Sequence, residues 1–304
     1  MAKHHLIANY HYVENPREDR KGIWPCSVAE FERQIKWLSE NYKIVSAGEV
    51  YEAAQKNADE KLCAITFDDG LKDQYINAVP ILKKYGVRAA FFIISSSFEW
   101  KIPGTHKLHI ILSHLSAESL IDIFNSDNEL ISKYAPIPKD ERINLERRLF
   151  EDTQTANLKE KLLGQIPADL KDKFLNSIFF KTLGLNEKEH AGELFMSEAE
   201  VRNLGKEGFT IGSHGHGHYA LNNLDAQSAG DDIKKSADIL NNLLGVRPEV
   251  FSYPNGRYNE SLISVLEDEG FKYAFSIEAR EVTKGESPYT IPRFDTNDIK
   301  KIML

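Results

Sequence analysis

The stretch "KLCAITFDDGLKDQYINAVPILKKYGVRAAFFIIS", residues 61–95, decides the fold class. It opens with a run through Cys63 and Phe67 and closes with one through Phe91 and Ile94. Each run is apolar at consecutive positions, the mark of a strand buried on both faces of a sheet. Between them "QYINAVPILKKYG" spaces its apolar residues as a helix does and ends on Gly86, the residue type that closes helices without steric penalty. A buried strand, a helix and a second buried strand form a parallel crossover unit, which is how α/β sheets and barrels are built.

The same rhythm extends in both directions. Upstream, "HLIANYHYV" (5–13) reads as a strand, "SVAEFERQIKWLSENY" (27–42) as a helix with Ser27 and Glu30 as its capping box, and "KIVSAGEVYEAAQ" (43–55) as a strand and a helix. Downstream, the helices "SEAEVRNLGKEG", "SAGDDIKKSADILNNLLG" and "NESLISVLEDEG" alternate with the strands "FTIGSH", "PEVFSYPNG" and "YAFSIE". From about 100 to 192 the texture changes to amphipathic helices, as in "KLHIILSHLSAESLIDIF", "RINLERRLFEDTQTANLKEKLLGQI" and "ADLKDKFLNSIFFKTLG". The expected architecture is one barrel assembled from residues 1–99 and 193–304, interrupted by a helical insertion over 100–192.

With 304 residues, 41% of them hydrophobic and 28% charged, the chain can bury a sizeable core. Its net charge of -8 comes from scattered charges of both signs, which argues against nucleic acid as a partner and for a neutral or weakly charged substrate. Cys26 and Cys63 are the only cysteines, and no disulfide framework is expected. No run reaches the eighteen or so apolar residues of a membrane span, so no transmembrane segment is expected. The opening "MAKHHLIANYHYVENP" lacks a cationic region followed by a long apolar one, so the chain is expected in the cytoplasm, or outside it if an export signal was removed. Oligomeric state is left open.

Two clusters can carry chemistry. Asp68 and Asp69 stand where a buried strand ends in glycine, on the edge where parallel α/β folds build their sites. Alone, Asp-Asp-Gly serves equally well as a tight turn. The loop "FTIGSHGHGHYAL" (209–221) holds three of the ten histidines within five positions, again after a strand. Two imidazoles and one carboxylate with an open position form a catalytic zinc-type site, whereas a merely polar loop has no need of such a concentration.

"TFDDG" (66–70) followed by "GSHGHGH" (212–218) resembles the first two motifs of the NodB-type polysaccharide deacetylases, carbohydrate esterase family 4. The resemblance implies an α/β fold, the distorted (β/α)7 barrel of that family, and leaves the helical insertion uncovered. Carried over by position, it implies Asp69, His214 and His218 as metal ligands and Asp68 as the general base. The implied cofactor is one divalent ion, Zn²⁺ in the first place, with Co²⁺, Ni²⁺ or Mn²⁺ as alternatives.

"VFSYPNGRYN" (250–259) resembles the family's third motif, commonly Arg-Pro-Pro-Tyr-Gly, with Ser252 at the Arg position and Asn255 at the Tyr position. The Asn255 backbone N–H is thereby implied to face the oxyanion, and Tyr253 is placed with it on the substrate side. The missing Arg departs from the family pattern. Arg293 in "IPRFD" is the candidate replacement, or else a surface ion-pair residue. No histidine follows His218, so the usual general acid is also missing. "NYHYVEN" (9–15) resembles instead the opening of the circularly permuted subgroup that deacetylates poly-N-acetylglucosamine, which gives the acid role to His11; a strand-end histidine held by hydrogen bonds is the other reading.

The resemblance implies a hydrolase that removes the N-acetyl group from an amino sugar in a polysaccharide or glycolipid precursor. Asp68 takes a proton from water, His11 protonates the leaving amine, and acetate and a free amino sugar are released. An amidohydrolase of small cyclic amides on the same fold and a non-catalytic carbohydrate-binding relative are the alternatives. Because the insertion is rooted at the C-terminal end of a strand, it is expected to wall the substrate groove.

Overall fold

The computed structural model describes residues 5–18, 20, 22–145 and 151–304, so part of the helix expected over 142–166 lies outside the described residues. The strands are β1 (Leu6–Tyr10), β2 (Lys43–Ile44), β3 (Leu62–Phe67), β4 (Ala90–Ile93), β5 (Thr210–Ser213), β6 (Val250–Ser252), β7 (Tyr273–Phe275) and β8 (Phe294–Asp295). All pair in parallel. Seven follow one another in the order β7-β6-β5-β4-β3-β1-β8, and the two-residue β2 pairs with the start of β3 alone. A parallel bridge between Phe275 and Ile291 ties β7 to the segment entering β8, so the two ends of the sheet meet. This is the distorted barrel of seven strands that the family resemblance implies.

Residues of β3 and β4 are buried at every position, as their unbroken apolar runs require. Alternate side chains fill the interior and the layer beneath the helices: Phe67 stacks on Phe91 with ring centroids 4.7 Å apart, while Phe92 meets Phe275 at 5.4 Å. Ser27 caps the helix Val28–Asn41 by accepting from the Glu30 N–H, a contact worth about 1 kcal/mol. The Glu30 carboxylate turns to Arg33 and Gln34. Reciprocal capping boxes form at Ser46/Glu49 and Ser197/Glu200. After β3 the chain makes a wide π turn over Gln74–Ala78 before the α-helix Val79–Lys84. Pro80 has no N–H to offer Ile76, which loosens the ladder there.

Two compact units are present: residues 1–16, 25–102 and 187–304 form the barrel, and residues 17–24 with 103–186 form the second. The second is helical, with Leu108, Ile111, Leu120, Ile121, Phe124 and Phe174 buried in it. The helix Glu187–Leu194 goes with the barrel, where Phe195 bridges Leu71 and the Met196 N–H donates to the Gly70 carbonyl at 2.9 Å. Amphipathic spacing announces a helix but not the body it packs on, which is why a boundary read from texture falls a few residues away. Among the described residues no helix is long and apolar enough to cross a membrane.

Candidate metal centre and its catalytic pair

Parallel strands deliver all their C-terminal ends to one side, and most candidate residues emerge there: His11 after β1, Asp68 and Asp69 after β3, His214 and His218 after β5 and Asn255 after β6, while Arg293, just before β8, reaches Asp68 with its long side chain. Asp69 and Gly70 both adopt left-handed backbone, with φ of 76° and 68°. A Cβ on Gly70 would sit 2.9 Å from Ile93 Cδ1. Such conformations cost about 1–3 kcal/mol at a non-glycine residue and persist where the surroundings impose them, typically at functional sites. His218 is the second such case, with φ of 54°.

The two turns bring three ligand atoms together. His214 Nε2 and His218 Nε2 lie 3.5 Å and 3.4 Å from Asp69 Oδ1, and all three residues are buried. His214 Nδ1 lies 2.7 Å from the Ser252 carbonyl. A carbonyl can only accept, so Nδ1 carries the proton and Nε2 turns its lone pair towards Asp69, the orientation a metal-bound histidine needs. Burial alone would lower the His214 pKa, yet the Asp68 and Asp69 carboxylates raise it above the ordinary imidazole value. The cluster therefore attracts positive charge. Its donor set, spacing and fixed tautomer fit a divalent cation.

Asp68 stands beside these ligands in a different setting. Arg293 grips it from both prongs, Nη1 to Oδ1 at 2.9 Å and Nη2 to Oδ2 at 2.8 Å. Nη2 also donates to Ser252 Oγ at 2.8 Å, Nη1 to Asn9 Oδ1 at 2.9 Å and Nε to the Ser276 carbonyl at 3.0 Å. Arg293 is 1% exposed, which rules out the surface ion-pair reading. Ser252 stands where the family pattern has its Arg, and its short hydroxyl leaves the space that the Arg293 guanidinium enters from the neighbouring side of the barrel. Burial by itself would raise the Asp68 pKa; Arg293, helped by His214 and His11, outweighs it and holds the carboxyl well below the usual range.

His11 is 46% exposed and places Nε2 3.8 Å from Asp68 Oδ2. Asn255 is half-buried just past β6, in a left-handed turn with φ of 58°. Tyr253 requires a correction. Its ring is fully buried between Phe251 and Tyr258, with centroids at 5.4 Å and 5.2 Å, so its side chain belongs to the core and does not face a substrate. Alternation along β6 and past it sends its ring, like that of Phe251, into the layer beneath the helices, opposite Ser252. His216 also points away from the cluster, with Nδ1 2.9 Å from Ser95 Oγ and Nε2 3.8 Å from Glu99.

Several residues of the site escape sequence reading. Asn9 Nδ2 donates to Asp68 Oδ2 at 3.0 Å, and its polar side chain inside an otherwise apolar strand was the available signal. Gln74 ties β1 to β3 by donating to the carbonyls of Asp68 (2.6 Å) and His11 (3.0 Å). Asp232, on the helix Ala226–Leu244, accepts the His216 and Gly217 N–H groups with one oxygen each, both at 2.7 Å, and so clamps the histidine loop. Asp232→Ala leaves two loop N–H groups without their acceptor. We expect metal affinity to fall about 10–100-fold, the scale of lost ligand-supporting hydrogen bonds, measured by competition with a chromogenic chelator. Unchanged affinity in a folded Asp232→Ala protein removes that role.

The model of the family described as polysaccharide deacetylase matches residues 55–132 and 153–274, about two thirds of the chain. The chain belongs to the polysaccharide deacetylase family. The match is to hydrolases, and it takes in both aspartates and the histidine loop. Among curated relatives, YxkH of Bacillus subtilis is 22% identical over 267 residues, covering 87% of this chain; this chain in turn spans 63% of the length of YxkH. A poly-beta-1,6-N-acetyl-D-glucosamine N-deacetylase of Staphylococcus aureus is 25% identical over 301 residues, 98% of this chain and 76% of that protein. Among solved structures, IcaB from Ammonifex degensii superposes with a TM-score of 0.62 at 16% identity, over 99% of this chain and 96% of that one. The Streptococcus pyogenes deacetylase PplD in complex with acetate gives 0.61 at 16%, over 98% and 97%. These likenesses establish the fold across the whole chain.

Proposed function

We propose that this protein is a metal-dependent N-deacetylase that releases acetate from an N-acetylated amino sugar within a polysaccharide or glycolipid precursor. The observation that carries this reading is the Arg293-gripped Asp68 beside the Asp69, His214 and His218 cluster. A structural metal site has no use for a held carboxylate next to its ligands, which disfavours a binding-only relative. The ligand set of two imidazoles and one carboxylate suits Zn²⁺. Such an ion polarises an acyl oxygen and lowers the pKa of a bound water to roughly 7.

The chain's own groups then divide the remaining work. Asp68, kept ionised and aimed by Arg293 and Asn9, accepts the proton of the attacking water. The Asn255 amide is assigned to the developing oxyanion, and His11, at the open side of Asp68, gives its proton to the departing amine. The helical stretch 103–186, the larger part of the second unit, is assigned to substrate selection. Exchanging it for a short linker is expected to change which glycans release acetate while metal content is kept; an unchanged preference in a folded protein removes this assignment.

Acetate release from N-acetylated oligosaccharides and from small cyclic amides, measured together with metal content, tests the reading. The polymer in the name of the Staphylococcus aureus relative is the first substrate to try. Release from the sugars alone is expected. Release confined to cyclic amides, or none from metal-loaded protein, overturns it. Asp68→Asn strands the buried Arg293 guanidinium and should lower stability, but assayed where it is still folded it should keep the metal while turnover falls by roughly a hundredfold or more, the scale of a lost acid-base group. Near-normal turnover of that variant takes the base role from Asp68.

A further inference from the structure

The stretch that follows the aspartate pair, "GLKDQYINA" (70–78), contains the wide π turn and carries three polar side chains to which the chemistry above gives no role. Turns of this kind are rare and gather at functional sites. All three side chains reach the segment that follows β1. Asn77 Nδ2 donates to the Val13 carbonyl at 2.8 Å, and Asp73 Oδ2 accepts the Val13 N–H at 3.1 Å. Gln74 Nε2 donates to the His11 carbonyl at 3.0 Å and to the Asp68 carbonyl at 2.6 Å. The turn thus holds the main chain at His11 and again at Val13.

The Gln74 amide has only one possible orientation. A carbonyl can only accept, so Nε2 must face both carbonyls and the group cannot turn over. Oε1 is thereby left buried with no hydrogen-bond partner among the described residues. Folded proteins seldom leave such a group unpaired, and here the amide is committed to joining the ends of β1 and β3. His11 has little else to aim it. Its one ion-pair contact among the described residues, Asp68 Oδ2 at 3.8 Å, is too long for a hydrogen bond. The direction of the exposed imidazole is therefore inherited from the main chain that the turn holds.

We propose that Asp73, Gln74 and Asn77 are positioning residues for proton delivery to the leaving amine: they fix His11 against Asp68, so that acid and base meet across one substrate amide. The proposal rests on the deacetylase reading. A general acid works only within hydrogen-bond reach of the atom it protonates, and a misplacement of about 1 Å can cost about a hundredfold in rate. The three residues divide this work. Gln74 touches the segments of both acid and base, whereas the side chain of Asn77 meets that of the acid alone.

The test uses the full metal-loaded chain and two acetyl donors, an N-acetylated oligosaccharide and 4-nitrophenyl acetate, with release by metal-stripped protein subtracted. The amine of the sugar needs a proton to leave; the nitrophenolate does not. Asn77→Leu is expected to lower kcat on the sugar about tenfold or more, with KM and metal content near those of the parent, while release from the aryl ester stays within about twofold. Gln74→Met should lower both, since its amide also holds Asp68. Added to His11→Ala, Asn77→Leu should cost nothing further, because the group it positions is gone. Where Asn77→Leu does not fold, Asn77→Asp carries the same expectation: it keeps the shape but turns an acceptor on the Val13 carbonyl. A folded, metal-loaded Asn77 variant that keeps the parent's kcat on the sugar, that loses both donors equally, or whose loss persists in the His11→Ala background overturns the proposal. Parent rates on both donors in Gln74→Met do so as well. A parent that releases acetate from the aryl ester but from no sugar fails the deacetylase reading itself, and the positioning role falls with it.

Discussion

Arg293→Met is expected to destabilise the protein by about 3–5 kcal/mol, the cost of leaving one partner of a buried ion pair uncompensated. Among the described residues the guanidinium is the single cation touching both oxygens of Asp68, and it lies between the rings of Phe92 and Phe275, with centroids 5.6 Å and 5.8 Å away. The methionine fills volume but leaves Asp68, Asn9 and the Ser252 hydroxyl without their shared donor. Turnover should fall with stability, since Asp68 loses its aim as well as its charge partner. Arg293→Lys should recover little, because an ammonium cannot span two carboxylate oxygens and a hydroxyl as a planar fork does. Asp68→Asn placed on top of Arg293→Met removes the stranded charge and should restore part of the lost stability, a coupling read directly from a double-mutant cycle in denaturant unfolding. An Arg293→Met protein within about 1 kcal/mol of the parent contradicts the account, since surface ion pairs are the ones that contribute so little.

That pair also marks where the sequence stops being legible. The barrel was readable because doubly buried strands such as Leu62–Phe67 and Ala90–Ile93 write unbroken apolar runs, and their partners are fixed by the parallel crossover rule. Asp69, His214 and His218 were legible through the resemblance of their two motifs to the family's, on turns that directly follow such strands. Arg293 and Asp68 lie 225 residues apart, and nothing in "IPRFD" distinguishes a buried fork from a surface charge. The replacement of the family's Arg by Ser252 was visible, but not that the vacated space is refilled from the segment before β8. Asp232 was hidden differently. On the helix Ala226–Leu244 it reads as one more polar residue on a solvated face, and its two N–H contacts exist only because the histidine loop folds back over that helix. Tyr253 was misplaced for the opposite reason: its neighbours in the motif face the site, while strand alternation turns its own ring into the core.

The largest effect on cofactor binding is expected from the histidine loop, where three residues of one type occupy alternate positions yet only two are placed to act. His214→Ala and His218→Ala should each abolish stoichiometric metal binding. Each removes one of three protein donors, a loss well beyond the about 10–100-fold of a missing supporting hydrogen bond. His216→Ala should retain the metal, because the His216 ring faces Ser95 and Glu99 and its backbone, not its side chain, anchors the loop to Asp232. Alanine keeps that backbone N–H. The three variants differ by one ring in the same loop, so solubility and loop composition are matched, and metal content after dialysis compares position alone. His218→Ala carries an additional expectation: residue 218 has φ of 54° without glycine's freedom, so a bound metal should add to what holds the turn, and it should protect the parent's loop from proteolysis where the variant's loop is cut. Equal metal loss in all three, or retention in His214→Ala, would mean that Asp69, His214 and His218 do not form the centre.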